Sequence, residues 1–275
     1  MMLLYALAVI ALINCCYYVL FSKFAFAKAA ENLPKNFYPV SVLVCAKNEA
    51  ENLSENIPHI LAQEHPNFEL ILINDASSDN TLEVMEQFAE ADARIKLVNV
   101  KNNEAFWGNK KYALTLGIKR AVNQRLVFTD ADCKPASTQW LQKMTAPLNE
   151  TTQITLGYGA YEKRKGVLNS LIRFETLLTA TQYFSYAKAG IPYMGVGRNL
   201  AYTAQLYYDN NGYMSHIQLP SGDDDLFINE TATAQNTALC YAEESFTTST
   251  PKTTYKSWIT QKRRHITTAK LYKPK

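Results

Sequence analysis

Apolar residues along this chain form one long uncharged run, followed by short runs that alternate with helical patterns. The run covers residues 1–22, which include no charged residue, and about 20 apolar residues of helix cross the hydrocarbon layer of a bilayer. Lys23 and Lys28 follow the run, whereas a cleaved signal peptide carries its basic residue in front. Ala25-Phe26-Ala27 could mimic a cleavage site, but the pattern favours an uncleaved membrane anchor.

Short runs rich in β-branched residues, each closed by polar residues, predict buried strands in the first half of the chain. They lie at 40–46, 70–74, 95–100 and 126–129. Between them apolar residues return at helical spacing, as at Leu53, Ile57 and Ile60, and Asn48 is expected to cap that first helix. This alternation is typical of a parallel sheet covered on both faces. We therefore predict an α/β fold with a mostly parallel central sheet flanked by helices.

Beyond Pro147 the pattern breaks into shorter pieces. We predict a strand at 154–161, a helix at about 167–188 and a glycine-rich stretch at 190–199. No Pro/Ser-rich linker divides this half from the first, so one domain is expected. The predicted division is an anchor at 1–26, a linker at 27–38, the α/β domain at 39–250 and a tail at 251–275.

The tail differs from the rest of the chain in charge. From Ser245 onward it has no acidic residue, while lysines and arginines accumulate between Tyr255, Trp258 and Tyr272. Such interleaving suits a lipid headgroup surface or a polyanionic ligand, although a solvated, frayed tail would look the same. Over the whole chain 28 Lys+Arg against 25 Asp+Glu give a net charge of +3, so we expect no nucleic-acid partner.

The five cysteines are an odd number and include no C-x-x-C pair. That usage indicates neither a disulfide framework nor a zinc site, and it predicts free thiols in a reducing compartment. Basic residues directly after the anchor place the following domain on the cytoplasmic side. We therefore expect a cytoplasmic domain at the cell (inner) membrane.

Polar clusters follow three of the predicted strands. They are Asn48 with Glu49, then Asp75, then Asp130 with Asp132. Ligands of parallel sheets bind beyond the carboxyl ends of the strands, so one crevice is expected to collect these side chains. Two carboxylates one residue apart can share a hard divalent cation and leave its other positions to phosphate oxygens and water, although a strand-end turn also explains such a triplet.

From about Val40 to His265 the sequence resembles the family 2 glycosyltransferases, inverting enzymes with the nucleotide-sugar-binding GT-A fold. Seven segments resemble the family's motifs in order. Val42 to Glu49 resembles the opening strand and its Asn-Glu, Ile73 to Thr81 resembles the second strand and its D-x-S-x-D-x-T loop, and Lys110 to Leu114 resembles the K-x-x-A-L helix start. Thr129 to Asp132 resembles the metal-binding triplet, Gly197 to Ala201 the G-x-N-x-A loop, Ser221 to Leu226 the acidic segment of the catalytic base, and Gln261 to His265 the Q-x-x-R-W segment. His265 replaces the tryptophan of the last motif, which weakens a processive-polymerase interpretation.

The resemblance implies a role for each motif. Asp132 would hold Mn²⁺ or Mg²⁺, and Asp130 would touch the metal or the ribose. The expected donor-binding residues are Asn48, Glu49, Asp75, Lys110, Asp130, Gln261 and Arg264. Among them, Lys110 and Arg264 would contact the phosphates. Gly197 and Asn199 would lie on the acceptor side.

Inversion also needs a carboxylate that takes the proton of the attacking hydroxyl. The family's acid-x-x-Leu spacing before Leu226 selects Asp223, and Asp224 is the alternative because adjacent acids make the register ambiguous. Mutual repulsion within the triplet 223–225 should raise at least one carboxyl pKa. A solvated acidic helix start, stabilised by the helix dipole, would also account for the triplet.

These features predict a metal-dependent inverting glycosyltransferase. It would move a sugar from a nucleotide diphosphate sugar to a lipid-linked or cell-envelope glycan acceptor at the membrane. One alternative is a membrane-tethered scaffold that binds nucleotide sugars without turnover. Another is a nucleotidyltransferase, but that chemistry usually has a glycine-rich phosphate loop after the first strand, and residues 46–50 contain no glycine.

Overall fold

The computed structural model describes residues 1–28, 37–101 and 110–273. The helices are α1 (Met2–Ala25), α2 (Ala50–Leu61), α3 (Thr81–Ala91), α4 (Lys110–Arg120), α5 (Trp140–Thr145), α6 (Val167–Lys188), α7 (Ala204–Asp209), α8 (Asp225–Thr231) and α9 (Tyr255–Ala269). The strands are β1 (Val40–Ala46), β2 (Phe68–Asp75), β3 (Ile95–Val100), β4 (Arg125–Asp130), β5 (Cys133–Pro135), β6 (Ile154–Leu156), β7 (Gly159–Tyr161), β8 (Leu200–Thr203), β9 (Thr237–Leu239) and β10 (Thr247–Ser249).

The central sheet has seven strands in the order β3-β2-β1-β4-β8-β6-β9. β3, β2, β1 and β4 run parallel, whereas β8 is antiparallel to both of its neighbours. β6 and β9 are again parallel. A small second sheet has the order β5-β10-β7. The predicted α/β architecture with a mostly parallel sheet is confirmed, and the single reversed strand makes the sheet mixed.

Both faces of the central sheet are buried, which explains the continuous apolar runs of its strands. Leu43 and Ile71 pack into one apolar cluster, while Val42 and Leu70 belong to a second cluster. Side chains alternate between the faces of a strand, so the two clusters lie on opposite sides of the sheet. Trp140 is fully buried in the second cluster.

Two local predictions were wrong in detail. The strand expected at 154–161 is divided into β6 and β7, which belong to different sheets. The chain leaves the central sheet at Gly157, where a Cβ would lie 2.6 Å from the side chain of Asn199. Asn48 does not cap α2: it has a φ of 58°, and Glu49 holds the N-cap position without a side-chain cap.

The N-terminal helix α1 has no buried residue. Its end packs against the domain through Phe24, whose ring lies 5.3 Å from that of Phe184 and 5.1 Å from that of Tyr241. Among the described residues, it is the one helix long and apolar enough to cross a membrane. Its use as an anchor remains a prediction. Residues 29–36 of the predicted linker lie outside the described part of the chain.

Candidate active site

The carboxyl ends of β1, β2 and β4 meet at one edge of the central sheet. Cys45 pairs in register with Asp130, and Ala46 pairs with Asn74. Asp75, the last residue of β2, is buried there. The predicted crevice therefore exists, because the residues that follow parallel strands lie at the same edge of the sheet.

Lys110 lies between the segment Asp130–Asp132 and the acidic segment Ser221–Leu226. Its Nζ is 2.8 Å from Oδ1 of Asp130 and 3.1 Å from Oδ2 of Asp223. Burial alone would lower the pKa of Lys110, but the charges of these two carboxylates hold the pKa well above its usual value. The ammonium is thus a fixed positive charge that joins two motifs 93 residues apart in the chain (223 minus 130).

Two carboxylates fit a hard divalent cation. One oxygen each of Asp130 and Asp132 and the sulfur of Cys133 lie within 4.8 Å of one another. Burial, together with the charge of Asp130, raises the pKa of Asp132 to about 6, so two like charges are held close together. Burial also raises the pKa of the Cys133 thiol, which makes the sulfur a poor ligand. Oxygen donors alone are the set that Mg²⁺ and Mn²⁺ prefer.

Asp224 and Asp225, which follow Asp223 in the triplet 223–225, have separate structural contacts. Oδ2 of Asp224 accepts the N–H of Gly197 at 2.7 Å, and its Oδ1 accepts the N–H of Asp225 at 2.8 Å. Asp225 contacts the C-terminal segment, where its Oδ2 accepts hydrogen bonds from Thr268 Oγ1 and, at 2.8 Å, from the hydroxyl of Tyr272. Asp223 is therefore the acid of the triplet that joins Lys110 in the crevice.

The neighbouring charges of the triplet 223–225 raise the pKa of one of its carboxyl groups, as predicted. Burial and the neighbouring charges of Asp223 and Asp225 raise the pKa of Asp224 to about 7. Repulsion between adjacent carboxylates favours the neutral form of the most buried group. Near pH 7 the neutral and the charged form of Asp224 are therefore similarly populated.

The raised pKa of Asp224 should appear in the pH dependence of stability. An unfolded aspartate titrates near 3.9, so between about pH 4 and 7 the native state binds more protons, and the free energy of unfolding falls as pH rises through that range. Asp224→Asn removes this titration. The wild-type minus variant difference, measured by urea denaturation from pH 4 to 8, should decline to about pH 7 and then level off. A difference independent of pH would contradict the assignment.

Asn199 does not face the crevice. It is fully buried, its Oδ1 accepts the indole N–H of Trp140 at 2.9 Å, and its Nδ2 donates to the carbonyls of Tyr158 and Ser245. Every polar atom of this side chain is used inside the fold. The acceptor-side role expected for Gly197 and Asn199 stays a prediction; in the structure the Asn199 side chain is hydrogen-bonded inside the fold, while the N–H of Gly197 donates to Asp224.

Replacing Asn199 with Ala should destabilise the domain by about 2–5 kcal/mol, because hydrogen-bond partners in three separate segments of the chain would be left unsatisfied. Urea denaturation of the full chain in detergent would measure the change. Asn210→Ala is the matched control, since Asn210 is exposed and makes one hydrogen bond, to the Leu206 carbonyl. A loss no larger than that of the control would contradict the supporting role.

Asn48 and Glu49 tie the first crevice loop to the second. Oδ1 of Asn48 accepts the N–H of Ser78 at 2.8 Å, and the N–H of Glu49 donates to Thr81 Oγ1 at 2.8 Å. The Glu49 carboxylate accepts a hydrogen bond from Asn52. The structure thus joins these residues to the loop that follows Asp75, and Ser78 of that loop occupies the Asn48 amide oxygen.

The motifs around Gly197 also contain a cation that the sequence analysis did not single out. The Arg198 guanidinium lies 4.4 Å from the centre of the Tyr161 ring, and its Nη1 is 3.2 Å from the Ala160 carbonyl. Together with Lys110, its charge lowers the pKa of Asp130. The sequence signal for Arg198 is its charge at the variable position between the Gly and Asn of the G-x-N-x-A loop.

The tail motif reaches the same site. Gln261 lies on α9 with its Nε2 3.4 Å from the Tyr161 hydroxyl, and Arg264 is exposed on the same helix. The charge of Arg264 contributes to the lowered pKa of Asp130, so α9 borders the crevice. The side chain of His265 lies outside the described residues.

The match to a family model decides the classification. Residues 41–198, more than half of the chain, match the model described as Glycosyl transferase family 2. The chain belongs to glycosyltransferase family 2. The matched range contains all the crevice residues up to Gly197 and stops before the acidic triplet and α9.

Curated relatives support the same family. An uncharacterised glycosyltransferase of Haemophilus influenzae is 34% identical over 136 residues, which cover 48% of this chain and 40% of the relative. A poly-β-1,6-N-acetyl-D-glucosamine synthase of Staphylococcus epidermidis is 36% identical over 93 residues, 34% of this chain and 21% of that protein. The matches thus span less than half the length of either relative.

A solved structure supports the fold of the family 2 domain. The mannosyltransferase PcManGT of Pyrobaculum calidifontis, determined in complex with GDP-Man and Mn²⁺, superposes with a TM-score of 0.71 at 19% identity. The match covers 92% of this chain and 69% of that one. The predicted GT-A fold is confirmed by this likeness.

Proposed function

We propose that this family 2 domain is a metal-dependent inverting glycosyltransferase that uses a nucleotide diphosphate sugar as donor. The observation that carries the proposal is the position of Lys110, whose ammonium contacts both Asp130 of the metal-binding pair and Asp223 of the acidic segment. A donor diphosphate and a base are the two groups that inverting transfer must bring together. The likeness to a mannosyltransferase in complex with GDP-Man and Mn²⁺ supports this choice.

The proposed reaction is a single displacement. The acceptor hydroxyl oxygen forms a bond to the anomeric carbon, the bond from that carbon to the diphosphate oxygen breaks, and its electron pair leaves with the nucleotide diphosphate. The Asp223 carboxylate takes the hydroxyl proton. Lys110 holds the Asp223 carboxylate in place before the acceptor arrives.

The leaving diphosphate is the group that needs positive charge. Asp130 and Asp132 would hold Mn²⁺ or Mg²⁺, which supplies Lewis-acid stabilisation of the phosphate oxygens. Lys110, Arg198 and Arg264 add cations around the same carboxylates. Glu49 and Asp75, at the ends of β1 and β2, would contact the base and ribose of the nucleotide, and Gln261 would bind the donor from α9.

The acceptor is proposed to be a lipid-linked or cell-envelope glycan. Similarity to a synthase of poly-β-1,6-N-acetyl-D-glucosamine supports a glycan acceptor. The exposed apolar helix α1 would anchor the domain in the cell (inner) membrane. Lys23 and Lys28 favour a cytoplasmic domain, and the basic aromatic residues of α9 would lie near the membrane surface.

The direct test is donor binding by the full chain in detergent. UDP, GDP and dTDP and their sugars would be titrated by calorimetry with Mn²⁺, with Mg²⁺ and with EDTA, and hydrolysis of the bound sugar would then be followed. We expect one nucleotide class to bind only with the metal present and its sugar to be released slowly. Absence of binding at millimolar concentrations would overturn the proposal, whereas binding without release of the sugar would favour the scaffold that binds nucleotide sugars without turnover.

A further inference from the structure

Lys111, the neighbour of the crevice lysine, is buried although it carries a charge. The residue is 1% exposed, and lysines are almost never buried to this degree unless paired. Its Nζ donates to the carbonyl oxygens of Leu219 and Ser221, at 2.6 Å each. These two carbonyls belong to the segment that leads directly into the acidic triplet.

The two lysines at the start of α4 hold the acidic segment from different sides. Adjacent residues of a helix point about 100° apart. Lys110 therefore reaches into the crevice towards Asp223, while Lys111 reaches the backbone before it. One helical turn thus contacts both the candidate base and the chain that carries it.

The segment 219–222 belongs to no helix or strand. It ends at Gly222 with a φ of 104°, and a Cβ at that position would lie 2.5 Å from the Leu226 side chain. Residues other than glycine rarely adopt a positive φ of this size. The direction in which Asp223 leaves the turn therefore depends on how the two preceding carbonyls are held.

We propose that Lys111 is a positioning residue for catalysis: its hydrogen bonds to Leu219 and Ser221 hold the turn that directs Asp223 towards Lys110 and the crevice. This inference rests on the proposed role of Asp223 as base. Burying an ammonium is unfavourable unless charges and hydrogen bonds compensate. Here the charges of Asp223, Asp225 and Asp224 counter the lowering of the Lys111 pKa that burial causes.

Lys111→Met tests the role of the ammonium. Misplacing a catalytic group by about 1 Å can cost about 100-fold in rate, so we expect kcat for transfer to fall by about 10- to 100-fold with the Kd of the donor unchanged. Lys111→Arg should recover part of the rate. Lys119→Met, at the exposed end of the same helix, should match the wild type. Wild-type kcat in Lys111→Met, or equal loss of donor binding and kcat, would overturn the proposal.

A double-mutant cycle shows whether Lys111 acts through Asp223. Adding Lys111→Met to Asp223→Asn should have no further effect on kcat, because residues that act as a unit are not additive. Additive losses would overturn the coupling. Wild-type activity of Asp223→Asn alone would instead overturn the proposed base, so the two failures are distinguishable.

A second variant addresses the case in which Lys111→Met does not fold. Gly222→Ala strains the same turn while leaving both lysines in place. We expect it to lower kcat with little change in donor affinity. Wild-type kcat in Gly222→Ala would overturn the inference that this turn positions the base.

Discussion

Asp223→Asn should lower kcat for sugar transfer by about 10² to 10⁴, the range that a general base contributes. The amide keeps the size of the side chain but cannot accept a proton at neutral pH. Donor binding should persist, because Asp130 and Asp132 are untouched. Initial rates with saturating donor, and calorimetric donor affinity, measure the two effects separately in the full chain.

Two variants sharpen this experiment. Asp224→Asn should keep more activity than Asp223→Asn, because Asp224 accepts backbone N–H groups of Gly197 and Asp225 while Asp223 faces Lys110. Asp209→Asn changes an exposed carboxylate on α7 and should match the wild type. The reverse order of activity, with Asp224→Asn inactive and Asp223→Asn active, would reassign the base to Asp224.

Asp132→Ala should lower kcat/KM by about 100-fold or more, because Lewis-acid stabilisation is worth several kcal/mol and each 1.4 kcal/mol is about tenfold. Donor binding should become weak and insensitive to added Mn²⁺. Titration of the donor with Mn²⁺, with Mg²⁺ and with EDTA measures this directly.

Cys133→Ser is the control for the metal site, since the neighbouring thiol stays protonated through burial and is not expected to bind the ion. This variant should keep its dependence on Mn²⁺. Donor binding by the wild type that is equal with Mn²⁺ and with EDTA would contradict a metal on Asp132. Loss of metal dependence in Cys133→Ser would add the sulfur to the ligand set.

The sequence was most informative where a structure depends on neighbours in the chain. The apolar periodicity predicted β1 to β4, and α6 occupies the predicted range. Which side chains of a strand or helix are buried is visible in the spacing of apolar residues that are close in sequence. The acidic and polar strand ends followed from the same pattern. Parallel strands bring their carboxyl ends together whatever the intervening loops, so the crevice could be placed in advance.

The rest depended on contacts between distant parts of the chain. The burial of Asn199 follows from Trp140 and Ser245, and a G-x-N-x-A motif does not show which way its asparagine turns. Lys111 follows Lys110 without a break, yet its partners lie 108 and 110 residues away. Neither spacing nor composition distinguishes such a buried lysine from a solvated one.

The hydrogen bonds of Asp225 have a consequence for synthesis of the protein. Its partners, Thr268 and Tyr272, follow it by 43 and 47 residues, about the length of chain that a ribosome makes in a few seconds at 5–20 residues per second. Throughout that interval α8 has been synthesised, whereas its partners Thr268 and Tyr272 have not. A nascent chain arrested before Thr268 would therefore contain β1 to β4, Asp130 and Asp132 while lacking both contacts.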